Sequence, residues 1–322
     1  MDTPSLTPKT EEKLVCRPLE TEQDWWRVRD LLIETFPITG PAFNWEVRRW
    51  EGGRFHNVPS AWSPAQYADH ILWETETGRL AGLAHHEGDE IMLQIHPDFR
   101  AQIEEPMLEY GEAHFAVPAP QERRQVHVLA YEYDAPRQRL LQKRGYQKMP
   151  YGWITRWMRL GRQPLPEPLT ADGYTLRTTR PPSAGPACWA DCERMASLLN
   201  AAFERPGFHQ PEEYHNWMTN APMFLNELNL VMTAPDGSFA AHAALNYVSA
   251  LRYAVFEPVC THPDHRRHGL AKALMLEGLR RARALGARIV EVSTGDADAA
   301  NALYDSIGFT EYYKAFAWKK VW

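Results

Sequence analysis

The stretch Thr261-His262-Pro263-Asp264-His265-Arg266-Arg267-His268-Gly269-Leu270-Ala271 decides how this chain is read. Before it runs an apolar segment, Tyr253 to Cys260, interrupted by Glu257 and Pro258. After it, Leu270, Leu274, Gly278 and Leu285 recur near helical spacing and predict a helix that Gly286 stops. A strand, a tight turn with two arginines and a glycine at a helix start is a device for holding phosphate. The first-turn N–H groups lack partners inside the helix, and the aligned peptide dipoles favour an anion there. Gly269 keeps a side chain out of the way, while Arg266 and Arg267 add charge and forked donors. No Gly-Lys-Ser/Thr follows and no Gly-x-Gly-x-x-Gly is present, which argues against nucleotide hydrolysis and against a dinucleotide cofactor.

Composition narrows the class. The 322 residues suffice for about two domains, and 24% charged with 44% hydrophobic residues describes a folded globular chain. A net charge of −6 disfavours a nucleic-acid partner and fits a cationic substrate. No apolar run is long enough for a membrane span. The N-terminus, Met1 to Lys13, is polar and contains proline. Cys16, Cys188, Cys192 and Cys260 form no zinc-like pairs and no secretory leader precedes them, so the expectation is a reduced, cytoplasmic protein. Cys188 and Cys192 share a helix face and read as buried small residues.

Self-comparison sets the organisation. Ile95-His96-Pro97-Asp98-Phe99-Arg100 mirrors Thr261 to Arg266, and Leu140 to Tyr146 mirrors Leu303 to Phe309 in the same order at nearly the same offset. A repeat that long means a duplicated domain rather than a solenoid. Gly161 to Pro168, with three prolines, reads as the linker. The expected domains are residues 1–162 and 163–322. In the first, a strand near Leu14 leads to a helix capped by Asp24, a Gly/Pro/Trp-rich stretch from Pro37 to Ser63, three strands between Ile71 and Ile95, a helix over Pro106 to Phe115, a strand over Val126 to Tyr131, a helix over Pro136 to Arg144 and a strand over Trp153 to Leu160. The second repeats the plan: a strand at Tyr174, one helical stretch from Asp191 to Trp217, strands around the Pro235-Asp236-Gly237 turn, the phosphate loop and its helix, a strand over Arg288 to Thr294, a helix over Ala299 to Ser306 and a strand pair over Phe309 to Val321.

Arg266-Arg267-His268-Gly269-Leu270-Ala271 resembles the pyrophosphate loop of the GNAT acetyltransferase superfamily, Arg/Gln-x-x-Gly-x-Gly/Ala. Asn301-Ala302-Leu303-Tyr304-Asp305-Ser306-Ile307-Gly308-Phe309 matches a second motif of that family at its spacing. The resemblance implies an α/β fold with a mixed sheet in two tandem GNAT domains, a mycothiol-synthase-like two-domain arrangement. It implies transfer of an acetyl group from acetyl-CoA, as co-substrate, directly to a primary amine, with no metal. Val259 and Thr261 would then pair with the pantetheine arm, and Arg266, Arg267, His268, Gly269, Leu270 and Ala271 would hold the pyrophosphate. Asn301 is implied as a further ligand of the arm, Tyr304 as general acid and Glu257 as general base. Thr261 stands where the family more often has an apolar residue, and Ala271 replaces a commoner glycine.

The competing readings are plain ones: core packing for Tyr304, a solvated edge for Glu257, and a metal site built from His262, Asp264, His265 and His268, which the adjacent arginines oppose. Cys260 as an acylated nucleophile lacks a tied histidine–acid pair. The first copy carries Ile103 where the second has Gly269, two carboxylates at Glu104 and Glu105, and Leu141 in place of Tyr304, so it reads as a degenerate, non-catalytic domain. Acceptor choice falls to the segment from Phe203 to Trp217, whose carboxylates and aromatics suit a small amine. A non-catalytic CoA-binding scaffold and a protein acetyltransferase are the alternatives.

Overall fold

A computed structural model describes residues 12–58, 61–121, 123–295 and 297–322; the polar N-terminus, up to residue 11, lies outside the described residues. In chain order the first sequence copy forms β1 (Leu14–Pro18), α1 (Glu22–Thr39), α2 (Val47–Phe55), β2 (Ile71–Thr75), β3 (Leu80–Glu87), β4 (Glu90–Ile95), α3 (Arg100–His114), β5 (Val117–Ala119), β6 (Arg123–Tyr131), α4 (Ala135–Lys143) and β7 (Gln147–Arg159). The second forms β8 (Thr175–Thr178), α5 (Pro186–Ala202), α6 (Pro211–Asn220), β9 (Asn229–Thr233), β10 (Phe239–Val248), β11 (Tyr253–Thr261), α7 (Leu270–Ala284), β12 (Ile289–Thr294), α8 (Asp298–Ile307) and β13 (Glu311–Val321).

The chain divides into two compact units. One takes in the described residues of Met1–Ile38, Ser63–Val128 and Lys319–Trp322; the other Thr39–Trp62 and Leu129–Trp318. In the first unit β1, β2, β3 and β4 pair antiparallel in sequence order, and β6 lies parallel to β4 after the α3 crossover. In the second, β8, β9, β10 and β11 repeat that antiparallel order and β12 lies parallel to β11 after the α7 crossover. The duplicated pattern in the sequence is thus a duplicated topology.

The units do not cut the chain at residue 162. β7, from the first sequence copy, pairs antiparallel with β12 from Ile289↔Arg159 to Thr294↔Ile154, and β13 lies on its far side. The far edge of β12 carries backbone donors and acceptors that need partners, and β7 supplies them.

Local chemistry explains the other departures from the sequence reading. α1 is capped by Thr21, not Asp24: Thr21 Oγ1 accepts from Asp24 N–H at 3.1 Å, and Asp24 Oδ2 accepts from Thr21 N–H at 3.2 Å, a reciprocal capping box. α3 begins at Arg100 and carries Pro106 inside it; Pro106 is exposed, where water can take up the hydrogen bond that its missing N–H leaves unmade. The stretch from Asp191 to Trp217 is two helices, because Glu204 and Gly207 take positive φ values of 55° and 71° between them. Phe309 to Val321 forms the single strand β13. Gly278, inside α7, packs closely on β11: a Cβ there would lie 3.1 Å from Phe256 Cε1.

Candidate active site

The site is built where β11 parts from β12. The two strands pair from Tyr253↔Ile289 to Phe256↔Val292, and β11 then runs on to Thr261 without β12 beside it. The cause is in the sequence. Pro258 has no N–H to give, and the β10–β11 register shifts by one between Ala243↔Val259 and Leu245↔Phe256, so Glu257 and Pro258 form a bulge opposite Ala244. Asn246 Nδ2 holds the bulge by donating to Glu257 O at 2.8 Å. Past the bulge, Val259, Cys260 and Thr261 keep β10 on one side and an open cleft on the other.

A cavity of about 910 Å³ occupies that cleft. Its basic mouth is formed by His265, Arg266, Arg267 and Lys272 at the start of α7. Gly269 caps α7 at φ 71°, ψ 9°, and a Cβ there would meet no atom within 4 Å. The left-handed backbone, rather than crowding, is what calls for glycine. Arg267 also takes a positive φ, 67°. The free N–H groups of the first turn and both arginines therefore lie at the same mouth of the cavity. From Thr261 back to Glu257 is four residues of strand, roughly 13 Å at about 3.3 Å each, so the cavity runs from a cationic end to a carboxylate.

Tyr304, on α8, lines the same cavity and is only 5% exposed. Burial, reinforced by the nearby negative Glu257, pushes its phenol up to about 12. Of the residues expected from the sequence, Val259, Thr261, Arg266, Arg267, Gly269, Leu270, Ala271, Glu257 and Tyr304 all line this one cavity. His268 and Asn301 do not. The His268 ring sits 5.8 Å from that of Tyr174. Asn301 Oδ1 accepts from Arg156 Nε at 2.9 Å, and its Nδ2 donates to Ala297 O at 3.1 Å and Gly295 O at 3.3 Å. His262 Nδ1 accepts from Asp264 N–H at 3.3 Å within the loop, and His265 Nδ1 is 2.9 Å from Tyr174 Oη, ahead of β8.

Several contributors come from distant sequence. Arg156 on β7 is buried and clamps α8, donating to Asn301, to Asp305 Oδ1 at 2.6 Å and to Phe309 O at 3.1 Å. This contact sets the helix that carries Tyr304. Arg156→Met should cost about 2 kcal/mol, because a buried carbonyl loses its donor and the ion pair is gone; urea unfolding of the variant checks this, with a shifted midpoint at unchanged slope. Trp153, also on β7, lines the cavity with 43% of its surface exposed. In the acceptor segment Phe203 lines the cavity, whereas Glu213 accepts from the Gln210 N–H and caps α6. The sequence also left Glu291 and Glu46 unmarked. Glu291 on β12 is 4% exposed, and burial together with the negative Glu46 pushes its carboxyl up to about 8. Glu46 itself is raised, chiefly by burial and against the pull of Arg49 and Arg48.

A strand splayed at a bulge, a cationic helix mouth and a buried tyrosine thus meet at one cavity. Residues 192–309 match the family model described as acetyltransferase (GNAT) family. Among solved structures, a GCN5-related N-acetyltransferase from Sphaerobacter thermophilus is 22% identical with a TM-score of 0.62, covering 96% of this chain and 95% of that one. A tandem GNAT protein from the clavulanic acid biosynthesis pathway is 17% identical with a TM-score of 0.63, covering 96% and 98%. An N-myristoyltransferase of Saccharomyces cerevisiae shares the fold at 13% identity and a TM-score of 0.53, covering 98% and 82%. Comparison with curated proteins gives no match. Residues 192–309 are thus similar to the GNAT acetyltransferase family, and the chain has the fold of a tandem GNAT protein. That likeness supports acyl transfer from an acyl-CoA as the reaction class.

Proposed function

We propose that this protein is an N-acetyltransferase that moves the acetyl group of acetyl-CoA directly to a small primary amine, using the site on residues 163–322. The observation that carries the reading is the single cavity that joins the cationic mouth at Gly269 to Glu257 and Tyr304. Pyrophosphate sits on the first-turn N–H groups of α7 with Arg266 and Arg267, and the pantetheine arm adds to the open edge of β11 at Val259 and Thr261. Holding thioester and amine in one cleft supplies up to about 7 kcal/mol of the barrier. Glu257 draws a proton from the ammonium through water, the nitrogen attacks the thioester carbon, and Tyr304 gives its proton to sulfur as the C–S bond breaks. Burial keeps that phenol protonated at neutral pH, which makes it a donor.

Direct transfer is favoured over an acylated cysteine, since burial pushes the Cys260 thiol up to about 12 and holds it in the unreactive form. Asn301 acts on the helix that bears Tyr304 through Arg156.

The first copy is proposed to be non-catalytic. Its Arg100 is tied to Glu104 at 2.7 Å, and Ile103 is buried at 1% exposure beneath the helix start. All four cysteines are free, in keeping with a cytoplasmic setting, and among the described residues no helix is long and apolar enough to cross a membrane. Thiol release from acetyl-CoA over a panel of mono- and diamines tests the reading. Turnover with at least one amine well above hydrolysis is expected; binding of acetyl-CoA with no release makes the protein a scaffold, and release only with protein acceptors makes it a protein acetyltransferase.

A further inference from the structure

An ammonium nitrogen carries three hydrogens and the amide it becomes carries one, so two protons leave the nitrogen during acyl transfer. The proposed function gives the first to Glu257. A route for the second lies in β12. Ser293 lines the cavity, and two residues back Glu291 points to the same face of the strand. Ser293 Oγ is 3.4 Å from Glu291 Oε1 and 3.1 Å from Thr155 Oγ1, which is 3.2 Å from Tyr131 Oη. Glu291 Oε2 accepts from the Tyr253 hydroxyl. Two hydroxyls thus bond one buried carboxyl, with Thr155 and Tyr131 extending the chain from Ser293, and among the described residues no lysine or arginine pairs with it. Burying a carboxylate with no cation is costly, and a fold that keeps one a single hydroxyl behind a cavity wall has it where protons move.

We propose that Ser293 and Glu291 form a proton relay that takes the second proton from the acceptor nitrogen. This rests on the acyl-transfer reading. After the C–N bond forms and the carbonyl π pair moves to oxygen, the nitrogen passes a proton to Ser293 Oγ while the serine's own hydrogen moves to Glu291 Oε1. The oxyanion then re-forms the carbonyl, the C–S bond breaks, and sulfur takes the proton of Tyr304. Tyr304 is reset by the proton on Glu257, through water, and Glu291 returns its proton through Ser293 to solvent. The sum is amide, free thiol and one released proton.

Glu291 must be ionised to accept. The groups that face it are Glu46 from the segment before α2, Tyr253 on β11 and Tyr131 at the end of β6, with Arg48, Arg49 and Glu257 acting on Glu46. Its carboxyl is raised, so the competent form grows as pH rises toward and through about 8. Steady-state turnover of the full chain with acetyl-CoA and an amine it accepts, followed across neutral to alkaline pH, tests the relay. Glu291→Gln and Ser293→Ala should each lower kcat about tenfold and flatten its rise with pH, with KM for acetyl-CoA kept within about twofold, and Ser293→Thr should restore the hydroxyl and most of the rate. If Glu291→Gln does not fold, the Ser293→Ala and Ser293→Thr pair decides. Wild-type kcat and pH profile in Ser293→Ala, or a loss that threonine does not rescue, overturns the relay while acyl transfer stands. A native chain that releases no thiol with any amine overturns both.

Discussion

Gly269→Glu is expected to raise the dissociation constant for acetyl-CoA by about a hundredfold or more, and to erase the rise in Tm that acetyl-CoA gives the native chain. Two effects add. The helix cap sits at φ 71°, where any L side chain costs about 1 kcal/mol. The new carboxylate then stands at the mouth meant for pyrophosphate, and two like charges at about 4 Å repel by about 4 kcal/mol at an effective dielectric constant of about 20. Space does not contribute, because a Cβ there meets no atom within 4 Å. Gly269→Asn separates the terms, since asparagine tolerates the left-handed region and brings no charge; it should hold affinity within about fivefold. Arg100→Ala in the first copy should leave affinity untouched, because that guanidinium is already bound to Glu104. Titration calorimetry on the three variants reads all of this. Equal loss in Arg100→Ala would move the binding site to the other copy.

Tyr304→Phe is expected to lower kcat about a hundredfold while the dissociation constant for acetyl-CoA stays within about twofold. The ring fills the core among Leu270, Leu274 and Phe309, and phenylalanine keeps that packing, so the fold should hold. Only the proton donor is removed. The phenol is raised to about 12, so its folded value lies above its unfolded one near 10. The neutral form is therefore favoured by folding: the contribution is full below about 10 and disappears as pH climbs through about 12. In the native enzyme no alkaline decline from Tyr304 is expected before that range. Stopped-flow thiol release across pH distinguishes the outcomes; native turnover in the phenylalanine variant would return Tyr304 to a packing role.

What the sequence determined by itself was whatever is encoded within a short span. The helix mouth at Gly269, the interruption of the apolar segment at Glu257-Pro258, the α8 motif with Tyr304 and the doubled plan were all legible, because each depends on neighbouring residues and on strand or helix periodicity. Thr21 was legible in principle too: a Thr with an Asp three residues on is a cap signal that a single-residue search passes over. Only the tertiary structure decided which distant groups join the site. Glu291 looked like an alternating polar residue on a strand, and only the packing of Tyr253 and Glu46 against it shows a carboxyl that, among the described residues, pairs with no cation. Arg156 and Trp153 read as part of the first copy, yet β7 pairs with β12 and delivers them to α8 and the cavity. Strand pairing across a hundred or so residues leaves no local pattern, since the partner is chosen by which edge lacks hydrogen bonds.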